Sequence, residues 1–350
     1  MTKSYNHLRT GIKKPAILFI VLSMLLIVFV FLDLVTGTVK IPFAGVLSAI
    51  GGSDAVNPVW KTILHDFRIP KTIAAILAGS ALSVSGLQMQ TVFRNPLAGP
   101  DVLGVTSGAS LGVAIVVMGF GDLFFTGYPG SWVQIIAAWA GAAFVLSLIM
   151  IVSIRVRDIM TILILGILFG SATSALVSIL QYFSPQSVLK SYVIWSMGNL
   201  GNLTAVQLRV LAVSLAAGFL ISIGTMKVMN VLLLGERYSK SMGVNIKIAR
   251  VMIFLSTSIL SGSITAFCGP LAFIGIAVPH LARLIFRTAN HFILVPASVI
   301  LGSILMLMAD ILSQLPGEGV ILPINSVTAI LGIPIVIWVI VYNRRFAGLN

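Results

Sequence analysis

The feature that most constrains this chain is the recurrence of apolar runs about twenty residues long, separated by short segments that hold most of its charge. A helix rises about 1.5 Å per residue, so about 20 apolar residues cross the ~30 Å hydrocarbon core of a bilayer. Ten such segments can be marked: 16–35, 72–92, 102–120, 132–154, 159–182, 205–226, 248–268, 271–288, 292–312 and 319–342. The eighth is short, and the tenth is broken by Pro323 and Pro334. Composition agrees. The 350 residues are 58% hydrophobic and 9% charged, against about 25% charged in a soluble domain. An all-α integral membrane protein is expected, a single transmembrane domain over 1–350 with a polar tail at 1–15. The run Ala16–Leu34 is too long for the apolar part of a signal peptide and no small-x-small site follows it, so it reads as a retained first helix.

The net charge of +13 is topological rather than a nucleic-acid signature. The basic residues are scattered between apolar runs and form no basic face. With the N-terminus inside, sixteen of the 22 Lys and Arg fall in inside loops, and Lys40, Lys61, Arg68, Lys71, Lys190 and Arg209 fall outside. The positive-inside rule therefore predicts cytoplasmic termini, and one missed span would scramble the pattern.

Acidic residues sit at span ends or in loops; Asp310 lies near the outer end of the ninth run. A proton-coupled pump needs an ionisable group within the membrane, and none is placed at mid-span here. No G-x-x-x-x-G-K-[ST] phosphate loop is present either, so the energy source is expected in another subunit. The single Cys268 excludes an intrachain disulfide, and His280 has no evident second ligand to hold a metal.

Small residues recur every four positions: Gly104, Gly108 and Gly112 in the third span, then Gly166 and Gly170 in the fifth, followed by Ser171, Ser174 and Ser178. Such spacing lets helix backbones approach closely. It fits packing within one subunit, or a subunit interface and pathway lining; the hydroxyls favour lining for the fifth span. Leu82-Ser-Val-Ser-Gly before Asn95-Pro-Leu-Ala matches Leu260-Ser-Gly-Ser before Gly269-Pro-Leu-Ala. The two stretches lie in spans of opposite direction, as an inverted repeat requires.

Between spans six and seven, segment 228–247 is long enough for two short helices joined at Gly235, with Glu236 opening the second, where the helix dipole favours a carboxylate. It reads as an amphipathic connector or as a rigid element that docks on a cytoplasmic motor.

Leu234-Gly-Glu…Met242-Gly-Val resembles the coupling segment of the FecCD family, bacterial permeases for iron–siderophores, haem and vitamin B12. Arg68-Ile-Pro-Lys, Arg94-Asn-Pro-Leu-Ala-Gly-Pro-Asp-Val-Leu-Gly-Val-Thr-Ser-Gly, Phe273-Ile-Gly-Ile-Ala-Val-Pro-His and Leu322-Pro-Ile-Asn-Ser-Val-Thr resemble other family segments, in order over about residues 60–340.

The resemblance implies a vitamin B12 permease-like (type II ABC importer) bundle in the bacterial inner (plasma) membrane, with both termini cytoplasmic. It implies a second permease subunit, in a homodimer, a cytoplasmic ATP-binding subunit and an extracytoplasmic substrate-binding protein. This chain would have no catalytic residue, metal or cofactor of its own; ATP and Mg would be used by the partner ATPase. Gly235, Glu236, Arg237 and Gly243 would couple to that ATPase. Gly166, Gly170, Ser171, Ser174 and Ser178 would line the translocation pathway. Arg68, Lys71 and Gln314 would dock the binding protein, although Lys71 and Gln314 stand where the family often has Arg, which loses bidentate geometry. A ferric siderophore is the first expected cargo, with vitamin B12 and haem as alternatives. A stand-alone secondary transporter and a membrane-embedded enzyme are the competing classes. The missing mid-span carboxylate and segment 228–247 weigh against the first. The absence of a nucleophile–base pair or a His/Asp/Glu cluster weighs against the second.

Overall fold

The computed structural model describes residues 6–51, 57–120, 132–156, 158–316 and 320–342. Met1–Tyr5 of the tail and the charged residues Asp54, Asp122, Arg157, Glu318, Arg344 and Arg345 lie outside the described residues. Regular structure among the described residues is helical: α1 (Asn6–Val35), α2 (Phe43–Ile50), α3 (Pro58–Phe93), α4 (Val105–Gly119), α5 (Trp132–Arg155), α6 (Ile159–Phe183), α7 (Gln186–Ser196), α8 (Ala205–Leu232), α9 (Glu236–Ser241), α10 (Ile246–Cys268), α11 (Ile274–Phe286), α12 (His291–Ser313) and α13 (Ile324–Tyr342). Seven are long and apolar enough to cross a membrane, and the shorter apolar α4, α11 and α13 bring the described set to the ten expected. Side-chain caps start several of them: Asp158 on α6, Asn245 on α10, Asn290 on α12, and a Thr204–Gln207 capping box on α8.

Two boundaries differ from the sequence reading. The second span begins at Pro58, not near 72, and passes through a π-helical turn at Ile63–Arg68. His65, Asp66 and Arg68 end the apolar run there, but they do not interrupt backbone hydrogen bonding. In segment 228–247 there is one separate short helix, not two, because the first part continues α8 to Leu232.

Helix α11 has 13 residues, about 20 Å of rise and too short for the hydrocarbon core. Non-helical backbone at that depth must be satisfied within the protein. Asn199 N–H donates to Cys268 O at 2.8 Å and Ala272 N–H to Asn325 Oδ1 at 3.0 Å, which enclose the irregular stretch after α10.

The internal repeat extends to the packing. Helix α3 packs on α12 as α10 packs on α5, and α4 packs on α6 as α11 packs on α13. The connections after α3 and after α10 each begin and end with left-handed or positive-φ residues, Arg94 and Gly104 in one, Gly269 and Phe273 in the other. Backbone approaches hold this block together. A Cβ on Gly79 would stand 2.1 Å from Gly302 O, one on Gly86 1.7 Å from Gly275 O, and one on Gly112 2.1 Å from Ala137 O. Gly108 likewise faces Gly141 O. The small residues of the third span thus serve packing within the chain.

Candidate functional site

At one end of the bundle α8 stops at Leu232 and the chain turns into α9. The turn needs Gly235, whose φ of 109° is hostile to side chains, and α9 is closed by Gly243 at φ 83°. Ser239 is buried and its hydroxyl lies 3.0 Å from Val231 O and 2.7 Å from Gly235 O, which pins the short helix to the end of α8. Glu236 pairs with the buried Arg250 of α10. With one side fixed in this way, α9 turns Arg237, Tyr238, Lys240 and Met242 outward, beside exposed Leu234. A cleft of about 610 Å³ separates α9 from the start of α6 and is bordered by Asp158, Glu236, Arg237 and Tyr238. Asp158 accepts from the Thr161 hydroxyl at 2.7 Å and from the Thr161 and Met160 amides, and these bonds hold its carboxyl below the ordinary carboxylate range. All four residues expected to couple to a motor therefore lie on one short element: Gly235 and Gly243 shape its ends, Glu236 anchors it, and Arg237 is exposed.

The residues expected to line a pathway divide. Gly166 is buried, and a Cβ there would stand 2.0 Å from Val102 O. Ser171, Ser174 and Ser178 are exposed along α6. Gly170, Ser171 and Ser174 border an open groove of about 550 Å³ with Gly166 at its floor. Sequence reasoning missed its opposite wall, Asp101 and Val102 from the connection after α3 and Ser107 from the first turn of α4. The spacing of small residues along one helix carries no signal for a wall supplied by another.

At the far end Arg68, Lys71 and Gln314 converge, but onto internal partners. Arg68 is 8% exposed, and its guanidinium donates to Leu34 O at 2.6 Å, to Val35 O at 2.9 Å and to Val39 O. It thereby caps the carbonyl end of α1. Lys71 pairs with Asp310, and Gln314 Nε2 donates to the same carboxylate oxygen at 3.0 Å. Thr72 donates to Asp33 at 2.5 Å, so α1, α3 and α12 share one buried polar cluster. His280 Nε2 donates to Pro96 O at 2.7 Å, a structural bond between α11 and the connection after α3. Among the described residues no group of three His, Cys, Asp or Glu could hold a metal ion.

Comparison with known proteins fits this geometry. The vitamin B12 import system permease protein BtuC of Salmonella typhi is 32% identical over 325 residues, covering 93% of this chain and 94% of that protein. The Citrobacter koseri protein of the same name matches to the same extent. A solved structure described as a metal-chelate type ABC transporter in an inward-facing conformation superposes with a TM-score of 0.80 at 28% identity, over 94% of this chain and 99% of that one. The pattern of the FecCD transport family matches residues 25–342. The chain belongs to the FecCD transport family: it is a multi-pass permease subunit of an ABC importer, whose ATPase is a separate subunit.

Proposed function

We propose that this permease imports a large metal chelate, with a ferric siderophore as the first candidate, and that it does so as a homodimer in the bacterial inner membrane with both termini cytoplasmic. The observation that carries the reading is α9, a short helix fixed on one side by Ser239 and by the Glu236–Arg250 pair, with Leu234, Tyr238, Met242 and Arg237 exposed on the other. An anchored helix with an apolar stripe and a cation suits docking on a soluble motor, because force applied to it reaches the bundle instead of bending a loop. Closure of an ATP-loaded motor would displace α9, and the pathway would change its opening.

The groove at Gly170, Ser171 and Ser174 supports a pathway along α6, completed by the second copy. The exposed aliphatic face of α6, with Ile164, Leu168, Leu176 and Ile179, supports a protein partner there. At the opposite end Lys71 and Gln314 are the surface we assign to the delivering protein; Arg68 supports that surface from below by capping α1. The names of the 32% identical relatives favour vitamin B12 as a second reading of the cargo.

Deletion of the gene, followed by uptake of labelled ferric siderophores, cyanocobalamin and haem, tests the proposal. Selective loss of siderophore uptake, restored by the wild-type gene, is the expected result. Loss of cyanocobalamin uptake alone selects the second reading. Retention of all three in a strain without a paralogous permease overturns the import of a chelate.

A further inference from the structure

The corner where α8 becomes α9 is held from beneath by a residue outside the coupling segment. Arg94, the first residue after α3, donates from Nη2 to Leu232 O at 2.9 Å. That carbonyl lies at the negative end of the helix dipole and also accepts from the Gly235 N–H at 3.1 Å, so Arg94 shares the acceptor that closes the turn into α9. The same nitrogen is the nearest atom to where a Cβ on Gly235 would stand, at 3.3 Å. The guanidinium therefore fills the angle between the last turn of α8 and the first of α9. To reach it, Arg94 adopts a left-handed backbone at φ 47°, which residues other than glycine rarely take up.

The turn of α3 that leads to Arg94 grips two further helices. Gln90 Nε2 donates to Ile276 O at 3.1 Å, and Arg283 donates to Gln90 Oε1 at 2.5 Å, so one side chain engages α11 twice. Thr91 Oγ1 lies 2.8 Å from His291 Nε2 on α12. His291 Nδ1 in turn lies 2.8 Å from Oδ1 of Asn230, which also accepts from the His291 N–H, and Asn230 is two residues from Leu232. The end of α8 is thus tied to α3 by two routes, directly through Arg94 and indirectly through His291 and Thr91. At its other end α3 carries Arg68, Lys71 and Thr72, whose polar bonds run to α1 and α12.

We propose that Arg94 is a positioning residue for coupling, and that the last turn of α3 transmits displacement of α9 to α11 and α12 and so to the opposite end of the bundle. This rests on the reading of α9 as the motor-docking element. Arg94 acts through Leu232 O; it is exposed and borders the same cleft as Glu236 and Arg237, so retention of the ATPase by its variants is what separates positioning from docking. Charge-assisted hydrogen bonds are the stronger kind, and a tie made of them passes on a shift of its anchor instead of absorbing it.

The test uses the full complex of permease, ATPase and binding protein in liposomes, with the labelled chelate that the deletion strain fails to take up. Arg94→Ala is expected to retain the ATPase and basal ATP hydrolysis, while transport per ATP hydrolysed falls about tenfold, within the range by which residues along such networks alter coupling. Arg94→Lys, which keeps a cationic donor, is expected to regain part of that loss. Unchanged transport per ATP in Arg94→Ala overturns the proposal, and so does loss of the ATPase from that complex, which would make Arg94 part of the docking surface. Should Arg94→Ala fail to accumulate in the membrane, Arg94→Met, which keeps the aliphatic stem and removes every donor, decides: a wild-type transport-to-ATP ratio there overturns the proposal. Failure of the docking reading is seen separately: an Arg237→Glu permease that still binds its ATPase sinks that reading, whatever Arg94 does.

Discussion

Lys71 Nζ stands 2.8 Å from Asp310 Oδ2, joining α3 to α12 through a carboxylate only 3% exposed and an ammonium 20% exposed. Removing one member of a buried pair costs more than removing both, because the survivor is left as an unpaired buried charge. Lys71→Met alone should lower stability by on the order of 2 kcal/mol, less than for a fully enclosed pair because the lysine meets solvent. Lys71→Met with Asp310→Leu should recover most of it. Thermal unfolding of the purified permease in detergent checks this; strictly additive losses would show that the two side chains are not coupled.

Gly79 and Gly302 touch backbone to backbone. Gly79→Ala must displace Gly302 O, 2.1 Å from the new methyl, and overpacking of this kind costs about 1–3 kcal/mol. Gly224 on α8 has nothing within 4 Å of a Cβ, so Gly224→Ala should stabilise its helix by up to about 1 kcal/mol. Opposite signs for the two substitutions in one unfolding assay are expected. Equal effects would contradict the packing described.

Glu236→Ala removes the partner of Arg250, which is 5% exposed. The permease should still insert in the membrane, because Glu236 itself lies outside the apolar spans, but α9 loses its tie to α10, keeps only the Ser239 bonds to the end of α8, and uptake should fall several-fold. Glu236→Gln, which can still accept a hydrogen bond, should lie between. Undiminished uptake by Glu236→Ala would remove Glu236 from coupling.

Asp158 gives a pH signature at the start of α6. Its carboxyl is held below the ordinary value of 3.8, chiefly by the Thr161 hydroxyl and then by the Thr161 and Met160 amides. A depressed folded-state value means that the cap is fully present above the unfolded value and is lost as pH falls through the lower folded one. Exchange protection of the Met160 and Thr161 amides should therefore weaken on acidification below the ordinary carboxylate range. In Asp158→Asn, a neutral residue that still caps, the change should vanish. Persistence of the pH dependence in that variant would point to a different titrating group.

The ten spans were legible because the bilayer imposes one length on every crossing element. The start of α3 was not, since a helix can carry His65, Asp66 and Arg68 on beyond the apolar run. The residues expected to couple fall within one short segment, and what the sequence shows of it is its punctuation: Gly235 and Gly243 mark the turns that bound α9. Arg68 was read as a surface cation, and its burial against Leu34 O and Val35 O depends on an approach of two helices that sequence spacing does not encode. The partnership of Thr91, His291 and Asn230 is hidden for the same reason, as its members are up to 200 residues apart. The short helices α2 and α7 fall in segments too short and mixed in character to mark.

The contact of Gly86 with Gly275 O has a consequence for motion. Helices whose main chains touch, here and at Gly79–Gly302 and Gly112–Ala137, cannot roll about their own axes without collision. The block of α3, α11 and α12 and the pair of α4 and α5 are thus ill suited to open like an iris, each staff turning a little. The bundle is better suited to swing like the leaf of a door, and in the proposed dimer the gap would then appear along the outer edge of α6, where the serines stand.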